Sequence, residues 1–165
     1  MTAIRRLSCC FMTLELVALA CAAQGEPVVP QKLDIYVGSS IFGAWHVVLH
    51  GRSLTCTQEQ AGRANDNGLP ITPTDEQWRA FHDALQRLAV SQWQSDYPNN
   101  GVLDGTQWQV EIVYPDWTVN AKGDNNFPDA NGKPNSSPDW TPSFRKFVSA
   151  LRMLLGRASC IPDDL

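Results

Sequence analysis

The sequence has no cluster of Lys and Arg, which is the feature by which proteins hold nucleic acid or anionic lipid. Its 13 basic residues are outnumbered by 17 acidic ones, and the formal net charge is −4. The densest basic group, Arg145, Lys146, Arg152 and Arg157, has the spacing of the solvent-facing side of a helix. We therefore expect no nucleic acid partner, and membrane contact only through a lipid anchor.

Recognisable catalytic and metal-binding motifs are also missing. The chain contains no Gly-x-Ser-x-Gly, and residues 38–43 lack the Lys and the following helix of a phosphate-binding loop. His46 and His50 would lie about 13 Å apart on a strand, too far to share one metal ion. The Asn- and Asp-rich stretch after Asp124 does not fit an EF-hand. These absences favour a non-enzymatic protein without a metal or a cofactor.

No apolar run reaches the ~20 residues of a membrane-spanning helix. Residues 1–23 instead have the layout of a signal peptide, because Arg5 and Arg6 precede an apolar stretch that ends in small residues. Cleavage after Ala23 is one processing route. The other is a lipoprotein leader, since the residues before Cys21 approach a bacterial lipobox. The expected location is periplasmic or secreted by the first route, and membrane-anchored through Cys21 by the second.

Few cysteines remain beyond this leader. Three of the five, Cys9, Cys10 and Cys21, belong to it, which leaves Cys56 and Cys160. An even pair in an oxidising compartment favours a disulfide between them. The alternative is a pair of buried free thiols.

The rest of the chain predicts a short tether over residues 24–31 and a single globular domain over residues 32–165. Alternating apolar and polar residues predict five strands, over 33–37, 45–49, 53–57, 108–114 and 117–121. Residues 58–70 and 122–140 are rich in Gly, Asn, Asp and Pro and are predicted to be loops.

Two amphipathic helices are predicted between and after these strands. Thr74 and Gln77 form a capping-box pair at the start of the first helix. The second starts at Thr141 and Pro142 and ends at Gly156. The order β-β-β-α-β-β-α predicts an α+β fold, in which an antiparallel sheet of about five strands carries two helices on one face.

Several motifs resemble an uncharacterised type of small exported or lipoprotein domain of bacteria. They are an Asp-Gly-x-x-Trp strand at 104–108, a Gly-x-Asn-x-x-Pro loop at 123–128, the segment 73–78, Trp93, Tyr97 and the C-terminal amphipathic helix. The resemblance covers roughly residues 33–156. It implies one domain and an envelope setting, and it supplies no activity and no catalytic residue.

The predicted strands over 108–114 and 117–121 form a hairpin. Candidate contact residues lie in the loops that flank it, because recognition usually occurs on polar loops carried by a rigid sheet. They are Asp104, Trp117, Asp124, Asn126 and Trp140. The sequence thus predicts an exported binding module of the bacterial envelope whose partner is a protein or saccharide of the envelope. Two alternatives stay open: a secreted hydrolase with carboxylates near Asp104 and Asp124, and a carbohydrate-binding module with Trp117 and Trp140.

Overall fold

The fold is that of a computed structural model, which describes residues 28–39, 43–60, 63–65, 68–99, 101–103 and 105–162. Within them, two α-helices pack with one seven-stranded sheet, and the predicted α+β class is confirmed. The predicted leader, the lipidation residue Cys21 and the candidate contact residue Asp104 lie outside the described residues.

The sheet is mostly antiparallel. Its strands are β1 (Lys32–Ser39), β2 (Gly43–His50), β3 (Ser53–Gln60), β4 (Arg63–Asn65), β5 (Asp96–Tyr97), β6 (Gln107–Val113) and β7 (Thr118–Asp124). The helices are α1 (Asp75–Arg87) and α2 (Pro142–Leu155). The strand order is β4-β3-β2-β1-β6-β7-β5, and only the contact between β5 and β7 is parallel. The central strand β1 therefore joins the β2–β3 hairpin to the β6–β7 hairpin.

The prediction of about five strands was wrong, because two short edge strands escape the sequence pattern. β4 forms within the predicted loop 58–70, where β3 also continues to Gln60. β5 has only two residues and pairs with Lys122 and Gly123 of β7. Strands this short show no alternation of their own, and they form where β3 and β7 offer unpaired edges.

Residues 28–31, the described part of the predicted tether, lie against the sheet. The Gln31 N–H donates to the Val113 carbonyl at 2.7 Å, and the Tyr114 hydroxyl donates to the Val28 carbonyl at 3.3 Å. Val28 and Val29 also pack against the core. This segment therefore extends the contact between β1 and β6.

Both helices begin at their predicted caps. The Thr74 hydroxyl accepts a hydrogen bond from the Gln77 N–H at 3.2 Å, and the Gln77 side chain accepts one from the Thr74 N–H at 2.9 Å. Thr141 caps α2 by accepting from the Phe144 N–H at 3.1 Å, and Gly156 at its end has a positive φ of 61°. Among the described residues, no helix is both long and apolar enough to cross a bilayer.

The core lies between the helices and one face of the sheet. Helix residues such as Trp78, Phe81 and Phe147 are buried in one cluster with every second strand residue, such as Ile35 and Val110. In the described chain, no helix covers the opposite face, which we call the open face. Most strand residues on it are exposed or half-buried, among them Asp34, Tyr36, His46, Val48, Thr55, Thr57, Gln107, Gln109, Glu111, Thr118, Asn120, Lys122 and Asp124.

A disulfide fastens the end of the chain to the sheet, as the cysteine count predicts. Cys56 on β3 is bonded to Cys160, which follows α2, and their Cα atoms are 5.6 Å apart. The bridge closes a loop with a sequence separation of 104. It therefore restricts the unfolded chain over most of the domain.

Loss of this bridge is expected to destabilise the domain substantially. Replacing both Cys56 and Cys160 by Ser should lower the free energy of unfolding by about 2–5 kcal/mol, measured by denaturant titration of the processed protein without reductant. The same titration with reductant is the control, and there the two proteins should converge. Alkylation of both thiols in the unreduced protein would contradict the bridge.

Candidate functional site

A polar groove runs across one end of the open face. Its larger part has a volume of about 400 Å³. Residues of β6 and β7 form the floor of this part, with Tyr36 on one side of them and residues 96–98 on the other. A second concavity of about 240 Å³ adjoins it, shares Tyr36, Gln107 and Asp124, and reaches Leu103. We call the two together the groove.

Tyr36 forms one wall of the groove and is held against the sheet. It lies between His46 on β2 and Gln109 on β6, and its ring meets the His46 ring edge-on with centroids 6.1 Å apart. A Cβ atom at Gly38 would collide with the Tyr36 hydroxyl, so only glycine allows the ring to lie along β1. The half-buried ring therefore lies over Gly38 and presents an aromatic surface to the groove.

Asp124 lies at the end of β7 and lines both parts of the groove. Its carboxylate accepts hydrogen bonds from the side-chain amides of Asn125 at 2.8 Å and Asn99 at 3.2 Å. These amides orient the carboxylate, and its remaining lone pairs are available to a ligand. Of the predicted contact residues that the structure describes, Asp124 is the one that lines the groove.

Two glutamines form the floor beside Asp124. Gln107 is paired with Asp124 across the hairpin, and Gln109 is paired with Lys122. Both glutamine side chains are exposed. Amide and charged groups thus alternate on one rigid two-stranded surface, where each can donate or accept hydrogen bonds.

Sequence reasoning missed Tyr36, Gln107 and Gln109. Alternation places Tyr36 and Gln109 on the polar sides of their strands, and this signal was present in the sequence. The alternation does not reveal that β1 and β6 are neighbours in the sheet, because their pairing joins residues far apart in the chain. Only the strand order brings the three side chains to one groove.

Asn126 is buried, with 2 % of its surface exposed. Its side-chain amide donates to the Pro98 carbonyl at 3.0 Å, and its side-chain oxygen accepts from the Asn135 N–H at 2.8 Å. Asn126 therefore joins two loops within the domain, and we assign it no place on the groove surface.

The structure separates the two candidate tryptophans. Trp117 packs on Tyr114 at the turn of the β6–β7 hairpin, with ring centroids 4.7 Å apart. Trp140 lies beyond the other end of that hairpin, in a small pocket of about 180 Å³ that Thr106 and Trp45 also line. The two rings therefore form no shared platform for a carbohydrate.

Trp140 is half-buried rather than free. Its ring packs on Phe127 and Phe144, with centroid distances of 5.9 and 5.2 Å, and the Arg145 guanidinium lies 5.9 Å from its centre. Trp108, by contrast, is enclosed at 2 % exposure, and its indole N–H donates to the Asn126 carbonyl at 2.8 Å.

Asp129 closes a turn in the long loop before α2. Its carboxylate accepts from the backbone N–H groups of Lys133 at 2.9 Å and Asn131 at 2.7 Å. These bonds, the one from Lys133 first, hold the pKa of Asp129 below its ordinary value of 3.8. The oxygen-rich composition of this loop is therefore explained by turn formation. In the described chain, no group of three or more His, Cys, Asp or Glu residues is placed to hold a metal ion.

Comparison of the chain with protein-family models, with curated proteins and with solved structures gave no match. The site is therefore interpreted from its own geometry.

The two tryptophans at this end of the sheet should differ in their effect on stability. Trp108→Ala should lower the free energy of unfolding by about 3–5 kcal/mol, because it empties a fully enclosed site. Trp140→Ala should cost only about 1–2 kcal/mol, because it loses two aromatic contacts from a partly buried position at the edge of the core. Urea titration of both variants measures the difference, and equal costs would place Trp140 in the core.

Asp129 should contribute a pH-dependent part of the stability. Because its pKa is lowered in the folded state, its stabilising effect is present above the ordinary value of 3.8 and is lost as the pH falls through the lowered value. Asp129→Asn should therefore reduce the Tm at pH 6 and have little effect near pH 2. Asp139→Asn, which removes the same charge from the same loop, is the control. A Tm deficit of Asp129→Asn that is equal at both pH values would contradict this role.

Proposed function

We propose that this protein is an exported, non-enzymatic module of the bacterial envelope that binds its ligand in the groove on the open face of the sheet. One observation carries the proposal. The helices cover one face of the sheet, while the other face presents a concave site that is lined by polar side chains on rigid strands. Sites of this kind bind with little loss of conformational freedom.

The groups in the groove are organised before any ligand arrives. Asn99 and Asn125 orient the Asp124 carboxylate, and the close approach to Gly38 fixes the Tyr36 ring. Gln107 and Gln109 extend from paired strands rather than from a loop. Preorganised polar groups of this kind give a binding site its specificity.

Two features support an envelope setting. The N-terminal residues have the pattern of an export signal, with cleavage after Ala23 or lipidation at Cys21 as its two outcomes. The Cys56–Cys160 disulfide is compatible with an oxidising compartment such as the periplasm.

Co-sedimentation with a bacterial envelope fraction tests the proposal. The processed protein is mixed with insoluble envelope from a Gram-negative bacterium, and the bound fraction is measured after centrifugation. Tyr36→Ala and Gln107→Ala should each weaken binding by about tenfold, equivalent to about 1.4 kcal/mol. Asn120→Ala is the matched control, because Asn120 lies on the open face of β7 but outside the groove.

The control variant should bind as the unaltered protein does, and circular dichroism should show that all variants are folded. Sedimentation that is the same for all variants, or absent for the unaltered protein, would overturn the proposed function.

A further inference from the structure

We infer that the ligand of the groove is a neutral saccharide chain, an inference that rests on the proposed function. Sugar rings combine apolar C–H faces with hydroxyl groups that both donate and accept hydrogen bonds. A complementary site therefore needs an apolar wall, neutral polar groups and little net charge. The groove has all three.

Two apolar side chains line the smaller concavity of the groove. One is the Tyr36 ring on β1. The other is Leu103, which is 89 % exposed, although a large aliphatic side chain gains from being covered. A sugar ring in this concavity would cover Leu103 and place its apolar face against Tyr36.

The floor supplies the neutral polar groups. Gln107 and Gln109 have exposed side chains, and no hydrogen bond from either carboxamide is found within the described part of the chain. Each carboxamide can donate and accept at once, which is what a row of hydroxyl groups requires. Asp124, held by Asn99, adds an acceptor for a pair of hydroxyls.

The charges of the groove argue against an anionic ligand. Lys122 lines the groove together with Asp96 and Asp124, so these three residues leave a slight negative excess. A phosphorylated or acidic polymer would meet no basic cluster here. A neutral chain meets no charge repulsion from these residues.

A protein partner fits the open face less well. The centre of a protein interface is enriched in apolar and aromatic residues. In the described chain, the exposed large apolar residues are Leu69, Leu103 and Met153, and of these only Leu103 lines the groove. The groove also continues from one concavity into the next, which suits a linear chain of several rings better than a single sugar.

Titration with defined oligosaccharides tests the inference. Chitohexaose, cellohexaose and maltohexaose are added to the ¹⁵N-labelled processed protein, and the side-chain amide signals of Gln107 and Gln109 are followed by NMR. At least one hexasaccharide should shift both signals. Tyr36→Phe should keep the affinity, while Tyr36→Leu, which removes the ring, and Gln107→Ala should each weaken it by about tenfold. Asn120→Ala should leave it unchanged.

Treatment of the envelope fraction separates failure of this inference from failure of the proposed function. Periodate, which cleaves the vicinal diols of hexose chains, or lysozyme and chitinase, which cut 1,4-linked N-acetylhexosamine chains without such diols, should abolish the Tyr36-dependent sedimentation, and protease should not. Loss of sedimentation after either treatment would support a saccharide even if none of the three hexasaccharides binds.

Other outcomes overturn one or both ideas. Sedimentation that depends on Tyr36 but is removed by protease and resists periodate, lysozyme and chitinase would overturn the saccharide and leave the binding function standing, with a protein as the partner. Sedimentation that does not depend on Tyr36 would overturn both. Shortening of a bound hexasaccharide, detected by mass spectrometry, would support the saccharide and overturn the non-enzymatic part of the proposal.

Discussion

The packing of the Trp108 indole is the interaction on which both the core and the groove depend. Its ring contacts those of Tyr97, Phe127 and Phe144 on the helix side of the sheet, at centroid distances of 5.2, 6.3 and 5.1 Å. A Cβ atom at Gly123 would collide with the indole, so β7 passes Trp108 only because that residue is glycine. Since side chains alternate along a strand, burying Trp108 turns its neighbours Gln107 and Gln109 toward the open face.

The indole also determines the path of the chain beyond β7. Its N–H donates to the Asn126 carbonyl. Asn125 bonds to Thr106, the residue just before β6: its side-chain oxygen accepts from the Thr106 N–H at 2.6 Å, and its backbone N–H donates to the Thr106 carbonyl at 2.8 Å. Asp124 is thus placed at the mouth of the groove by residues on the opposite side of the sheet. The loop after β7 has a polar composition that in sequence is typical of a binding or disordered segment. In the structure, its polar side chains are largely used in such internal hydrogen bonds.

The sequence predicted those features that depend on local chemistry. The capping box of Thr74 and Gln77 and the Pro142 start of α2 both arise from residues close together in the chain. The short strands β4 and β5 were not predicted, because each exists only by pairing with another part of the sheet.

The same limit applies to the site. Asp124 was predicted because it follows a strand at a polar turn, whereas Tyr36 joins it only because β1 lies beside β6. Asn126 has the same residue type as the exposed Asn131 in the same polar stretch, and its burial follows from its bonds to Pro98 and Asn135. Composition therefore pointed to the end of the sheet at which the groove lies, but not to which side chains face outward.

The location of the groove on the open face follows from how the rest of that face satisfies its own polar groups. Toward the other end of the strands, His46 bonds Asp34 at 2.8 Å and Lys32 pairs with Glu111 at 2.7 Å. The hydrogen bond to Glu111 also raises the pKa of Lys32, which keeps that pair charged. A ligand at this end would have to displace existing bonds, whereas at the groove it meets carboxamides without internal partners in the described chain. Side-chain amides without internal partners in the described chain thus lie at the Gln107 end of the open face, whereas the polar groups at the Lys32 end are already paired.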